Sequence, residues 1–370
     1  MKRSFDVIHA IPSLAVGGME RFVLSLSETQ SGDIESSIVC TAERGVLWET
    51  ARASGIRTDF VPSPLIDNWF PSALTTLLKT RAPAVVHSHS GSWLKAARAA
   101  QHAGVRRVVH TMHGFHEGRE WLHRPLERSA ASLTHVVVAV SDELRAYASS
   151  ALGVPSEKLV VLSNGIDAPS FSGAASRRRA RNQLSPNDVV IGFVGRLAAV
   201  KAPLVLLEAF AEVLRLGGER HPDLRISLQF IGSGPLSDEL EIRILANNLT
   251  DSVRLVGSVN NVCEHLPGID IFCLPSHSEG TSIALLEAMA SGCAVVATDV
   301  GGTRAVLDDG VAGALVAPND VSALAVALWR FVENPQSRQE FGQRAQVRVN
   351  THYSIAATAS AYHDLYSQIP

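Results

Sequence analysis

The chain has 370 residues, 46% hydrophobic and 19% charged, with a formal net charge of −3. That length suggests two domains or one large one, the apolar content excludes a disordered protein, and the near-neutral balance argues against bulk nucleic-acid binding. Cys40, Cys263, Cys273 and Cys293 show no two-residue spacing and three lie in or beside apolar runs, which reads as buried thiols in a reducing compartment.

Taken in order, FDVIHAI reads as a first strand, and Gly17-Gly18 opens a helix through Val23, Leu24 and Leu26. ESSIVCTA, IRTDFVPS, AVVHSHS, VRRVVHTMHG, HVVVAVS and KLVVLSNGID are further apolar strands, with helical stretches between them. Strands of four to seven apolar residues alternating with helices predict parallel βαβ units. The alternation lapses over residues 169–187, a Ser-, Ala- and Arg-rich linker containing Arg177, Arg178, Arg179 and Arg181. It restarts at VVIGFVGRL and continues through RISLQFIGSGP, SVRLVGSV, VCEHLPG (a short helix) and IDIFCLPS. Helical segments close the chain. The expectation is an α/β protein of two Rossmann-like domains, 1–168 and 188–352, facing a central cleft, with ligand at the carboxyl ends of the strands. The N-terminal MKRSFDVIHAIPSL fits neither a signal peptide nor a membrane span, so a cytoplasmic location is expected, compatible with peripheral contact at the inner membrane face.

The stretch CLPSHSEGTSIALLEAMASGCAVVATDVGG, 273–302, reads as strand, turn-rich loop, helix and strand. Thr281 or Ser282 caps the helix and Gly292 stops it. Glu279 precedes the helix and Glu287 lies on it, with seven residues between them. Helical side chains lean toward the N-terminus, so both carboxylates can face one ligand at that end. The leading amides of the helix suit a phosphate.

Seven segments occur in one order: AVGGMER, TMHG, AVSDEL, SNGID, GFVGRLAAVKAP, IGSGP and SEGTSIALLEAMASGCAVVATDVGG. Together they resemble glycosyltransferase family 4, retaining transferases of GT-B architecture that use nucleotide sugars. The resemblance implies transfer of a sugar from a nucleoside-diphosphate sugar to a hydroxyl acceptor, a saccharide or lipid-linked saccharide, without metal or cofactor. It implies a C-terminal donor half, an N-terminal acceptor half, and a final helix, 353–370, that returns to the N-terminal domain. By analogy the pathway is bacterial cell-envelope or exopolysaccharide synthesis.

The same resemblance assigns residues. Glu287 holds the ribose hydroxyls, Glu279 binds sugar hydroxyls and positions the reaction centre, and Arg196 and Lys201 meet the diphosphate. His113 contacts the donor sugar through a ring nitrogen or the adjacent carbonyl, and with Glu279, Arg196 and Lys201 makes up the catalytic set. Gly280, Thr281, Ser282 and Ile283 add loop and helix-start contacts. Thr281-Ser282 departs from the aromatic or second glycine that many members carry. Gly17, Gly18, Gly232 and Ser233 complete the donor site, and Gly18, His113 and Asn164 line the acceptor side.

Each residue also has a plainer reading. Glu287 fits a solvated helix face, Arg196 and Lys201 a solvated loop, Gly17-Gly18, Asn164-Gly165 and Gly234-Pro235 ordinary turns, Glu20 a first-turn dipole partner, and His113 a structural histidine. His87 and His89 alternate on one strand face, which invites a metal, but no carboxylate or cysteine accompanies them. HEGREWLHRPLERS, with Trp121, fits a solvated helix face or a basic-aromatic patch for lipid. A nucleotide-sugar epimerase, an NAD-dependent dehydrogenase and a non-catalytic sugar-nucleotide binder are the alternatives. The dehydrogenase lacks its G-x-G-x-x-G, since the first loop reads S-L-A-V-G-G.

Overall fold

The computed structural model describes residues 5–30, 32–62, 68–115, 120–171 and 188–368, with 120–122 as backbone alone. The expected linker falls almost wholly outside these residues, with its four arginines, as do His116 to Arg119. The chain divides into two compact units. One comprises residues 1–165 and 355–370, the other residues 166–354.

The first unit carries β1 (Phe5–Ile11), β2 (Ile34–Cys40), β3 (Arg57–Phe60), β4 (Val85–His89), β5 (Arg107–Met112), β6 (Val136–Ala139) and β7 (Leu159–Val161). They form one parallel sheet in the order β3-β2-β1-β4-β5-β6-β7. The second unit carries β8 (Val189–Val194), β9 (Ile226–Ile231), β10 (Val253–Gly257), β11 (Ile271–Leu274), β12 (Ala294–Thr298) and β13 (Ala314–Val316). Its sheet order, β10-β9-β8-β11-β12-β13, is the doubly wound arrangement. In each sheet the order reverses beside the first strand, between β1 and β4 and between β8 and β11, the position at which doubly wound sheets bind ligands.

Strands β4, β5, β8, β11 and β12 are buried at every residue. Helices cover both faces of a parallel sheet, so β8, β11 and β12 are nearly continuous apolar runs, whereas β4 and β5 also bury His87, Ser88, His89, His110 and Thr111. In the second unit Phe193, Phe210, Phe230 and Phe331 fill the core. In the first, Ala96, Ala97, Ala99 and Ala100 let the Trp93–Ala103 helix lie close on its sheet.

The Ile355–Ser367 helix belongs to the first unit and packs on the Gly18–Thr29 helix. Tyr362 and Tyr366 are fully buried there. Two local expectations needed adjustment, and one element is additional. The strand read from KLVVLSNGID is only Leu159–Val161. VCEHLPG forms two 3-10 turns, Val262–Glu264 and Leu266–Gly268, because Pro267 lacks the N–H a continuing helix needs. A short helix, Thr303–Val306, follows Gly301-Gly302. None of the four cysteines forms a disulfide. No helix of the described residues is long and apolar enough to cross a membrane.

Candidate active site

The predicted donor residues of the second unit lie on loops that follow β8, β9 and β11 and, for Ile283 and Glu287, on the helix after the last of these. After β8 the chain turns through Gly195, Arg196 and a 3-10 turn, Ala199–Lys201, into the Pro203–Arg220 helix. After β11 it runs through Pro275 to Gly280 into the Ile283–Ala290 helix. The two loops are tied by the His277 N–H, which donates to the Val200 carbonyl at 2.7 Å.

Lys201 Nζ donates to Glu279 Oε1 at 2.6 Å, and the Ser276 hydroxyl donates to the same oxygen at 2.6 Å. Thr298, at the end of β12, holds the Ser276 carbonyl at 2.5 Å. Glu279 is therefore buried and fixed by two donors, so its carboxyl oxygen is not left unpaired away from water. Ser282 caps the Ile283–Ala290 helix, its side chain accepting from the Leu285 N–H. Glu287 is buried on that helix, so the solvated-face reading does not hold. Arg196 is exposed, and no hydrogen bond or ion pair of its side chain is seen among the described residues; its carbonyl accepts from the Ala198 N–H at 2.9 Å. Its charge is left available, whereas that of Lys201 is matched by Glu279.

Gly232 and Gly234 have a packing duty. A Cβ on Gly232 would lie 2.0 Å from the Gly195 carbonyl oxygen, and one on Gly234 would lie 2.4 Å from that of Leu197. The loops after β8 and β9 run backbone to backbone, with Leu197 N–H donating to the Ser233 carbonyl at 3.0 Å. Glycine is required so that the two loops can meet. The Ser233 hydroxyl lies 2.7 Å from that of Ser258. Gly280 is braced by the Gly302 N–H, which donates to its carbonyl at 3.1 Å.

Gly17, Gly18, His113 and Asn164 belong to the first unit. Gly17 precedes the Gly18–Thr29 helix, and a Cβ there would meet Glu20 Oε2 at 2.3 Å. The anion-binding position at this helix start is taken by the protein's own carboxylate. Burial holds the Glu20 carboxyl above its usual range. Asn164 is buried at the end of the unit.

His113 sits at the edge of a histidine cluster that the sequence only half revealed. His87 and His89 were visible as an alternating pair. His9 joins them because β1 and β4 pair with His9 opposite His87. Nitrogens of His9, His87 and His89 lie within 4.8 Å of one another. Both His87 nitrogens are engaged, Nδ1 with the Tyr366 hydroxyl at 2.6 Å and Nε2 with Thr111 at 2.7 Å. A metal would have to displace one of these. Burial pushes His9 down to about 4 and His113 down to about 3, and holds His87 and His89 well below the usual range. All four rings are neutral at pH 7. Other residues the sequence reading missed are Ser276 and Thr298. The hydroxyl three positions before Glu279 was the available signal.

Two family models match nearly the whole chain. "Glycosyl transferases group 1" covers residues 176–348 and "Glycosyltransferase Family 4" residues 16–169. A D-inositol 3-phosphate glycosyltransferase of Streptosporangium roseum is 31% identical over 310 residues, 76% of this chain and 69% of that protein. The chain belongs to glycosyltransferase family 4. This family 4 glycosyltransferase is also 28% identical, over 86% of each chain, to an Escherichia coli UDP-Gal:alpha-D-GlcNAc-diphosphoundecaprenol alpha-1,3-galactosyltransferase. Two further inositol phosphate glycosyltransferases align over only 52% and 58% of their own length. The crystal structure of Anabaena HepE with UDP and glucose matches at a TM-score of 0.84 and 19% identity, covering 98% of this chain and 100% of that one. The fold is GT-B, as the motif order implied.

Proposed function

We propose that this transferase moves a hexosyl unit from a nucleoside-diphosphate sugar to a hydroxyl of a saccharide or lipid-linked saccharide. In this reading the anomeric configuration is retained, no metal ion is needed, and the product feeds a bacterial envelope or exopolysaccharide. The observation that carries the reading is the pairing of Lys201 with the buried Glu279 at the entrance of the Ile283–Ala290 helix, with exposed Arg196 on the same loop as Lys201. UDP and glucose bound to HepE, and UDP-Gal in the name of the E. coli relative, favour a UDP-hexose donor. That relative's diphosphoundecaprenol acceptor favours a lipid-linked one.

In the proposed step the bond from the anomeric carbon to the diphosphate oxygen breaks, and the electron pair leaves with the phosphate. Arg196 and Lys201 meet that growing charge. Glu279, held by Ser276, accepts hydrogen bonds from the sugar hydroxyls. Glu287 accepts two from the ribose diol. The acceptor oxygen attacks the same face, and its proton passes to the departing phosphate oxygen. In the first unit, His113 meets a sugar hydroxyl.

The test is incubation with UDP-, GDP- and ADP-hexoses and a polyprenyl-diphosphate saccharide, read by NMR of the product anomer. One UDP-hexose should be consumed, the donor configuration kept, and the rate unchanged by EDTA. An inverted product overturns retention, and loss of rate to EDTA restored by a divalent ion overturns metal independence. An epimer formed from donor alone favours the epimerase.

A further inference from the structure

The two oxygens of the Glu279 carboxyl group are not equivalent. Oε1 accepts from Lys201 Nζ and from the Ser276 hydroxyl, each at 2.6 Å. A carboxylate oxygen offers about two lone-pair sites, so Oε1 is filled. Oε2 takes no hydrogen bond from the described residues, and it is not among the unpaired polar atoms closed off from solvent. The side chain keeps 6% of its surface exposed. The group is thus buried with one oxygen committed to the protein and the other left for a ligand.

The two donors on Oε1 differ in stiffness. Lys201 reaches it on a flexible four-carbon stem, a quarter exposed, and its ammonium has further N–H groups to give elsewhere. Ser276 is fully buried, and a single torsion sets its hydroxyl. Its backbone is clamped as well. The Thr298 hydroxyl, buried at the end of β12, donates to the Ser276 carbonyl at 2.5 Å. Thr298 is placed by the parallel pairing of β11 with β12, which sets Leu274 beside Ala297. In the transferase reading a diphosphate competes for Lys201. Ser276, shut away from solvent, meets no such competition, so its hold on Oε1 persists when that of Lys201 weakens.

We propose that Ser276 is a positioning residue that keeps the Glu279 carboxyl group in one orientation while Lys201 engages the diphosphate, so that Oε2 alone receives the donor sugar. Thr298 acts one step behind it by fixing Ser276. One oxygen with about two lone pairs serves at most two hydroxyls, so the site reads one or two positions of the hexose and ignores the rest. The sugar and the diphosphate in this inference rest on the transferase reading. The fixed orientation of Glu279 does not.

The test combines Ser276→Ala with deoxy donors in the full chain. The parent donor is the UDP-, GDP- or ADP-hexose that wild-type protein binds in calorimetry, and each analogue lacks one hexose hydroxyl. With the parent donor, Ser276→Ala should lower kcat by about 10–10²-fold. The dissociation constant of the free nucleoside diphosphate, which has no hexose to place, should stay within about twofold. With one or two of the deoxy donors the same substitution should cost less than about threefold, because the contact it disturbs is already gone. Equal losses with every analogue overturn the proposal. So does nucleoside-diphosphate affinity that falls in step with kcat, which would mean that the whole loop has given way. Thr298→Val keeps the volume and removes the hydroxyl behind Ser276. It should show the same pattern at smaller size, and it carries the comparison if Ser276→Ala does not fold. Full activity with every donor in Thr298→Val overturns the role of Thr298. Wild-type protein that binds the donor without transferring sugar, and shows the same pattern in donor dissociation constants, supports the positioning and overturns the transferase reading. Protein that binds none of the three donor classes overturns both.

Discussion

Lys201 Nζ and Glu279 Oε1 stand 2.6 Å apart, and the oxygen they share with Ser276 belongs to a carboxylate almost shut off from solvent. The cation proposed to meet the diphosphate and the anion proposed to meet the sugar thus hold each other in place. They should behave as one unit. Lys201→Met and Glu279→Gln are each expected to lower kcat by about 10²–10³-fold. The double variant should lose much less than the product of the two, a coupling of about 1–3 kcal/mol. Strict additivity in that kinetic cycle would show that the two act separately.

Arg196 differs because its side chain has no hydrogen-bond or ion-pair partner among the described residues. Arg196→Ala should change the unfolding free energy by no more than about 0.5 kcal/mol in urea melts. The same variant should lower kcat/KM by about 10²-fold. Arg196→Lys should recover part of that loss, since charge returns without the planar fork. Normal transfer by Arg196→Ala would remove it from the site.

The close approach of the loops after β8 and β9 gives a stability test. Gly232 has φ +139° and no room for a methyl group against the Gly195 carbonyl. Gly232→Ala should cost about 2–4 kcal/mol and lower Tm by roughly 5–15 °C. Gly218→Ala, in the Pro203–Arg220 helix with open space around it, serves as control. It should be neutral or stabilising by up to about 1 kcal/mol. Equal melting temperatures for the two variants would refute the packing role.

The neutral histidines make stability depend on acid. The pKa of His9 is about 4 when folded and that of His113 about 3, against an ordinary 6.5. His87 and His89 shift the same way. Below pH 6.5 the unfolded chain binds protons that these buried rings refuse. Stability should be full above about pH 6.5 and fall progressively toward about pH 4. Urea melts at pH 7.5, 6 and 5 measure this. His9→Phe should flatten the slope, and a slope unchanged in that variant would mean that other groups set it.

The sequence by itself determined the βαβ alternation, because apolar runs bounded by glycine and proline are local signals. Through the resemblance that its ordered motifs carry, it also singled out Glu279, Glu287, Arg196 and Lys201 as candidates. Only the tertiary structure decided that Lys201 is paired with Glu279, because the contact joins residues 78 positions apart through loops on two strands. It decided equally that Gly232 serves the Gly195 turn, and that His9 joins His89 and His113. The first follows from parallel pairing of β8 with β9, and the second from that of β1 with β4 and of β4 with β5. Register across a sheet is fixed by the packing of whole elements, and no spacing within one segment encodes it.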